Sequence, residues 1–274
     1  MNASVNRQVL PGFGLSLGVT LGYLTLMVLI PLAACYVKAA ELGFAEFLTA
    51  ACSPRARGAY ALTFGVSLAS AAINVVLGLV VAWTLVRYEF PLKGLIDALV
   101  DVPLALPTAV AGLVYSILYL PHGVFGQFFS PLGIEVSNTR LGIVVVLVFT
   151  GFPFVVRMVQ PVLEEMDAEI EEAASVLGAN RWQTFTRVLF PQLLSPALAG
   201  FTLAFARSLG EYGSVVFIAG GYPETEIAPV LIVSRLEEFA YREAAAIAVV
   251  LLTVSFILLA LINVLAWRSS RHEH

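Results

Sequence analysis

The chain has 274 residues, 59% of them hydrophobic and only 12% charged, with a mean hydropathy of +0.89. Soluble domains run about 45–50% apolar and about 25% charged, so this chain has too little charge to cover a water-soluble surface and takes the membrane as its solvent. Lys+Arg 15 against Asp+Glu 19 leaves a net charge of −4, too small a bias for a nucleic-acid partner.

A membrane-spanning helix needs about 20 mostly apolar residues, because the hydrocarbon core is about 30 Å thick and each residue rises 1.5 Å. Six stretches qualify, at about 15–37, 60–86, 97–120, 140–160, 193–219 and 243–267. The expected fold is therefore all-α, a single transmembrane domain covering 1–274. Late in the first stretch, Leu32-Ala33-Ala34-Cys35 reads like a lipoprotein cleavage box. The apolar run before it is too long for a signal peptide, however, and only Arg7 precedes it as a positive charge. The two cysteines, Cys35 and Cys52, have no metal or redox spacing. The second stretch carries no formal charge between Gly58 and Arg87. The third is broken by Pro103 and Pro107, and prolines at that depth persist only where neighbouring protein or a water-lined path satisfies the freed carbonyls. Span three is accordingly expected inside the bundle.

An even number of spans puts both termini on one side. With that side cytoplasmic, eight Lys/Arg residues lie inside and six outside, with Arg207 left within a span; the tail Trp267-Arg268-Ser269-Ser270-Arg271 adds to the inside bias.

Between spans four and five, residues 161–192 are too patterned for a plain turn. An acidic run from Glu164 to Glu172 leads in. Ile170, Ala173, Ala174 and Leu177 fall at i, i+3, i+4 and i+7, an apolar stripe on a helix. Gly178 follows, the residue suited to a left-handed helix end. Asn180 then caps a second helix, with Gln183 three residues on in a capping-box arrangement. Trp182, Phe185 and Leu189 give that helix its own stripe until Pro191, which is expected to end it. The small Ala173 and Ala174 allow a partner to approach closely. An amphipathic hairpin lying on headgroups is the other reading; the acidic lead argues against it, since interfacial helices favour Lys and Arg.

Glu172-Ala173-Ala174, three residues, Gly178, and later Arg187-Val188-Leu189-Phe190-Pro191 resemble the EAA signature of bacterial ABC import permeases. The resemblance implies a coupling loop seated on a cytoplasmic ATPase, with Glu172, Ala173, Ala174, Leu177, Gly178 and Ala179 making the contact. Two further stretches, Phe205 to Gly220 and Thr225 to Ile232, are similar to the T-type permeases of sulfate and thiosulfate importers, as are Leu236-Glu237-Glu238 and Pro103 to Gly112. The chain departs from them at Gly221-Tyr222-Pro223, where members more often carry Asn after the first glycine.

That resemblance implies a permease moving sulfate or thiosulfate across the cytoplasmic membrane by alternating access. Its partners would be a second, similar permease, two ATPase subunits and a periplasmic sulfate-binding protein. ATP and Mg would be bound by the ATPase and no cofactor by this chain. A molybdate or tungstate permease shares the Leu-Gly-Glu core and remains open. An ion-coupled secondary transporter or channel is disfavoured, because no paired inverted halves are visible and few intramembrane acids exist beyond Glu211 and Asp101. No catalytic constellation, metal motif or phosphate-binding GxxxxGK[ST] occurs.

A path for a doubly charged acceptor needs N–H and O–H donors with little fixed charge. Arg207, Ser208, Glu211 and Tyr212 in span five, with Thr108 beside Pro107 in span three, are the candidates. Arg207 within a span must face protein, and two roles are open: bracing the bundle with Glu211, or meeting the anion itself.

Overall fold

Small residues at helix crossings, rather than hydrophobicity as such, hold helices together where the surroundings are already apolar. A computed structural model shows how this chain uses them; it describes residues 13–270. Among these residues there is no strand, and the helices in chain order are α1 (Phe13–Ala40), α2 (Phe44–Ala51), α3 (Pro54–Arg87), α4 (Lys93–Val100), α5 (Val102–Ala105), α6 (Thr108–Tyr119), α7 (Gly126–Phe129), α8 (Arg140–Glu165), α9 (Ala168–Val176), α10 (Arg181–Leu209), α11 (Gly213–Ile218), α12 (Ala228–Glu237) and α13 (Tyr241–Ser270).

Three long helices, α3, α8 and α10, form the core. Val155 of α8 sits where glycines from both neighbours let it in. A Cβ at Gly78 of α3 would lie 2.6 Å from Val155 Cγ1, and one at Gly200 of α10 would lie 2.7 Å from Val155 Cα. Along α3, Thr63, Ser67, Ser70 and Asn74 are all buried on this same face, spaced i, i+4, i+7 and i+11. The Asn74 amide faces Gly151 of α8, where a Cβ would stand 2.6 Å from its Nδ2. Small and slim polar residues thus take the inner face of α3, while Leu68, Ile73, Val76, Leu77 and Val80 are exposed on the outer one.

Five helices are long and apolar enough to cross a membrane: α1, α3, α8, α10 and α13. The stretch at 97–120 is not a continuous sixth. It is divided into α4, α5 and α6, with extended backbone at Leu106 and Pro107. Nor does it lie inside the chain's own bundle, as its prolines suggested. Leu104, Leu106, Val110, Leu113 and Ile117 are exposed along one edge, and only Val100, Pro103, Ala111 and Gly112 are buried. The requirement that irregular backbone be covered still holds; among the described residues Leu106 and Pro107 are left exposed.

Two further boundaries differ from expectation. Span four runs on to Glu165, through Pro153 and Pro161. The second helix of the 161–192 loop does not stop at Pro191: α10 continues unbroken to Leu209. The reason is a π-helical segment at Phe185–Leu189, closed by Phe190 N–H donating to the Phe185 carbonyl. The wider turn absorbs the proline ring, which in an α-helix would strike the carbonyl four residues back. The same device, at the same spacing, precedes Pro31: Thr25–Leu29 is π-helical and Ile30 N–H donates to the Thr25 carbonyl.

Charged residues pair within their own end of the bundle. At one end Arg55 Nε and Nη2 donate to Glu226 at 2.7 and 2.8 Å, and Arg140 Nε donates to the Glu224 carbonyl. At the other, Arg157 joins Asp97 and Asp101, and Arg87 joins Glu171.

Candidate functional site

The hairpin between α8 and α10 is built by capping. Asp167 leads into α9 in extended conformation, and Glu169 and Glu171 occupy its first turn, where acidic groups meet the positive end of the helix dipole. The helix ends in a Schellman motif: Gly178 N–H donates to the Ser175 carbonyl and Ala179 N–H to that of Ala174, both at 3.0 Å. Gly178 adopts φ +82°, a conformation that disfavours any side chain. Asn180 then starts α10 with a complete capping box. Gln183 N–H donates to Asn180 Oδ1 at 2.9 Å, and Asn180 N–H donates to Gln183 Oε1 at 3.0 Å.

The apolar stripe of α9 is narrower than the spacing implied. Ile170 is half-buried and Ala174 buried, but Ala173 and Leu177 face outward. Val176, Leu177 and Trp182 are 87%, 88% and 72% exposed, three large apolar side chains around the Gly178 turn. Glu172 is exposed beside them and Ala179 half-buried. Among the described residues nothing covers this tip.

The second constellation lies where span five was expected to be continuous. Helix α10 stops at Leu209, and the backbone turns through Gly210, Glu211 and Tyr212 before α11 begins. Arg207 is therefore in the last turn of one helix and Glu211 lies beyond its end, rather than one turn along a single helix. Glu211 is 2% exposed and fully engaged: Oε2 pairs with Arg207 Nη1, while Oε1 accepts from Ser214 N–H at 3.0 Å and Ser214 Oγ–H at 2.9 Å. Among the described residues the pairing with Glu211 is the only bond Arg207 makes through its side chain, which is 35% exposed.

Helix α6 packs against this break backbone to backbone. A Cβ at Gly112 would overlap the Ser214 backbone, and one at Gly213 would overlap Thr108 Oγ1. Thr108, Arg207, Glu211 and Tyr212 are thereby gathered around one junction, at the start of two short helices. Ser208 is not with them. It is 1% exposed, donates to the Ala204 carbonyl at 2.8 Å and lies 3.4 Å from Ser70 Oγ, on the side facing α3. Helical spacing turns it about 100° from Arg207, so adjacency in sequence separates their surroundings.

One cluster was not singled out from the sequence. Arg157 of α8 holds α4 and α5 with three carboxylate contacts: Nε to Asp101 Oδ1 at 2.9 Å, Nη2 to Asp101 Oδ2 at 2.7 Å, and Nη1 to Asp97 Oδ1 at 2.6 Å. Its signal was two acids at i, i+4 in an otherwise apolar stretch. Among the described residues no group of three or more His, Cys, Asp or Glu lies placed to hold a metal ion.

Residues 74–270 match the family of the binding-protein-dependent transport system inner membrane component. The chain belongs to this family. It is also 46% identical over 272 residues to the sulfate transport system permease protein CysT of Escherichia coli (strain K12), covering 99% of this chain and 98% of that one. The counterpart in Synechocystis sp. (strain PCC 6803) is 51% identical over 257 residues, covering 93% and 90%. Among solved structures, a bacterial alginate ABC transporter in complex with an alginate pentasaccharide-bound periplasmic protein superposes with a TM-score of 0.76 at 18% identity, covering 93% of each chain, and so shares the fold. The chain is a multi-pass inner-membrane permease of this family. The family match takes in the Gly178 hairpin and the Arg207–Ser214 junction together.

Proposed function

We propose that this permease imports sulfate, with thiosulfate as a second substrate, by alternating access driven by ATP bound to a separate subunit. The observation that carries the proposal is the near-full-length likeness to sulfate permeases, which includes both the capped hairpin and the broken-helix junction. The hairpin supplies the power input: Val176, Leu177 and Trp182 seat in a cytoplasmic ATPase, with Glu172, Ala173, Ala174 and Ala179 lining the contact and Gly178 setting its angle. Both termini are then cytoplasmic. A second, similar permease covers the edge of α4–α6, two ATPase subunits bind below, and a periplasmic sulfate-binding protein delivers from above.

At the junction, Glu211 braces and Arg207 recognises. Glu211 has both oxygens committed to Arg207 and Ser214, so it holds the end of α10 to the start of α11. Arg207 keeps donors beyond the one given to Glu211 and is partly exposed. Half-neutralised by its partner, it offers sulfate hydrogen bonds without the charge that would trap a dianion. Thr108 and Tyr212, at the same junction, add hydroxyl donors, whereas Ser208 belongs to the helix core.

The test is uptake into proteoliposomes holding the chain with its ATPase, its second permease and a binding protein. Radiolabelled sulfate should accumulate only with ATP inside the compartment reached by the hairpin and with the loaded binding protein on the other face. Uptake by the chain alone along an ion gradient would overturn the proposal. Stimulation by molybdate but not sulfate, when each is delivered on its own binding protein, would transfer the assignment to that anion.

A further inference from the structure

Helix α9 needs a mechanical connection to the bundle if a push on the hairpin is to move a transmembrane helix. Its packing supplies little: Ile170 is half-buried, Ala174 is buried, and the remaining described side chains beyond Glu171 face out. Among the described residues, α9 makes one ion pair to a transmembrane helix. Arg87 Nη2 lies 2.9 Å from Glu171 Oε1, with the two side chains 19% and 33% exposed.

Arg87 is well placed to transmit force. It is the last residue of α3, the helix whose glycine and serine face is locked against α8 and α10. Both Nη atoms also point at the Met166 carbonyl, at 3.5 Å, in the corner between α8 and α9. The guanidinium stands 5.8 Å from the Trp83 ring centroid, and Trp83 meets Phe185 edge-on at 5.8 Å. Phe185 opens the π-helical segment that carries α10 past Pro191. One cation therefore touches the start of the hairpin, the corner before it and, through Trp83, the π-helical stretch of the helix after it.

We infer that Arg87 and Glu171 form the latch that converts displacement of α9 into displacement of α3. They are positioning residues, acting through α3 on the transport path and touching neither nucleotide nor anion. The pair suits this use because it is polar and only partly buried. Two opposite charges at 2.9 Å in a half-sheltered corner give each helix one specific partner on the other. The inference rests on the ATP-driven import proposed above.

The experiment uses the complete complex in proteoliposomes and reads sulfate imported per ATP hydrolysed. Glu171→Gln is expected to lower that ratio about threefold or more, with nucleotide hydrolysis continuing. Arg87→Lys, which retains the charge but not the forked geometry, is expected to fall between it and the wild type. In a background with Cys35 and Cys52 replaced by Ser, the pair Arg87→Cys and Glu171→Cys should be uncoupled. A short bis-methanethiosulfonate bridge across the two should restore the ratio, and a reductant should remove it again. A wild-type ratio in Glu171→Gln, or bridged complexes that remain uncoupled, would overturn the latch. A wild-type complex without ATP-driven sulfate uptake would overturn the function beneath it instead.

Discussion

At Gly178 the backbone alone makes the demand. Its φ of +82° is one that L side chains rarely adopt, and a Cβ there would meet nothing within 4 Å, so crowding is no part of the requirement. Gly178→Val should strain the turn by about 1–2 kcal/mol and re-aim the tip. The expected outcome is loss of sulfate-stimulated ATP hydrolysis with the protein still present in the membrane. Gly178→Asn should retain most of the stimulation, because Asn tolerates the left-handed region. Glu211 is the opposite case, a side chain whose whole value is in its partners. Removing it leaves Arg207 unpaired within the membrane, at a cost of about 2.5–3.5 kcal/mol, and frees the start of α11. Glu211→Ala should therefore lower the yield of assembled complex more than the double change Arg207→Ala with Glu211→Ala. Arg207→Ala alone separates bracing from recognition: transport per assembled complex should fall. Intact transport per complex would remove Arg207 from the path.

Elements, rather than residues, carry the difference between six expected spans and what the chain builds. The hairpin was legible because its signals are local: Gly178 for the turn, Asn180 and Gln183 for the cap, and the run of spacing between them. Two π-helical segments were not, since the proline at 191 announces a break and only the widened turn behind it says otherwise. The break at Gly210–Tyr212 was half legible. Two glycines bracket it, but the flanking sequence is apolar enough to read as one helix. The pairing of Arg157 with Asp97 and Asp101 joins residues 60 and 56 positions apart, a separation that periodicity does not reach. The same holds for α6 on α11, where close approach depends on Gly112. A Cβ there would stand 2.6 Å from Ser214 Cα, so Gly112→Val must push α6 off the junction. Overpacking of this kind costs about 1–3 kcal/mol. Thermal unfolding of the purified complex should show the loss, and sulfate uptake should fall with it.

At the scale of the whole molecule, the described residues leave the edge of α4–α6 exposed. Along α4–α6 the backbone is extended at Leu106 and Pro107, and Leu106 is 38% exposed. In hydrocarbon each unmet N–H or C=O costs several kcal/mol, and an irregular segment facing lipid is not a stable arrangement. On the proposed function a second permease or water stands there, and an alternating-access cycle would supply each in turn. A single cysteine at Leu106, with Cys35 and Cys52 replaced by Ser, reports which. It should react with a charged, water-soluble maleimide in the resting complex. The rate should change about threefold or more once ATP and the loaded binding protein are added, as the path changes the side to which it opens. Reaction only with a lipid-soluble maleimide, at a rate indifferent to ATP, would mean that this edge faces the bilayer. The break in span three would then have no part in the path, and Thr108 would lose its proposed role there.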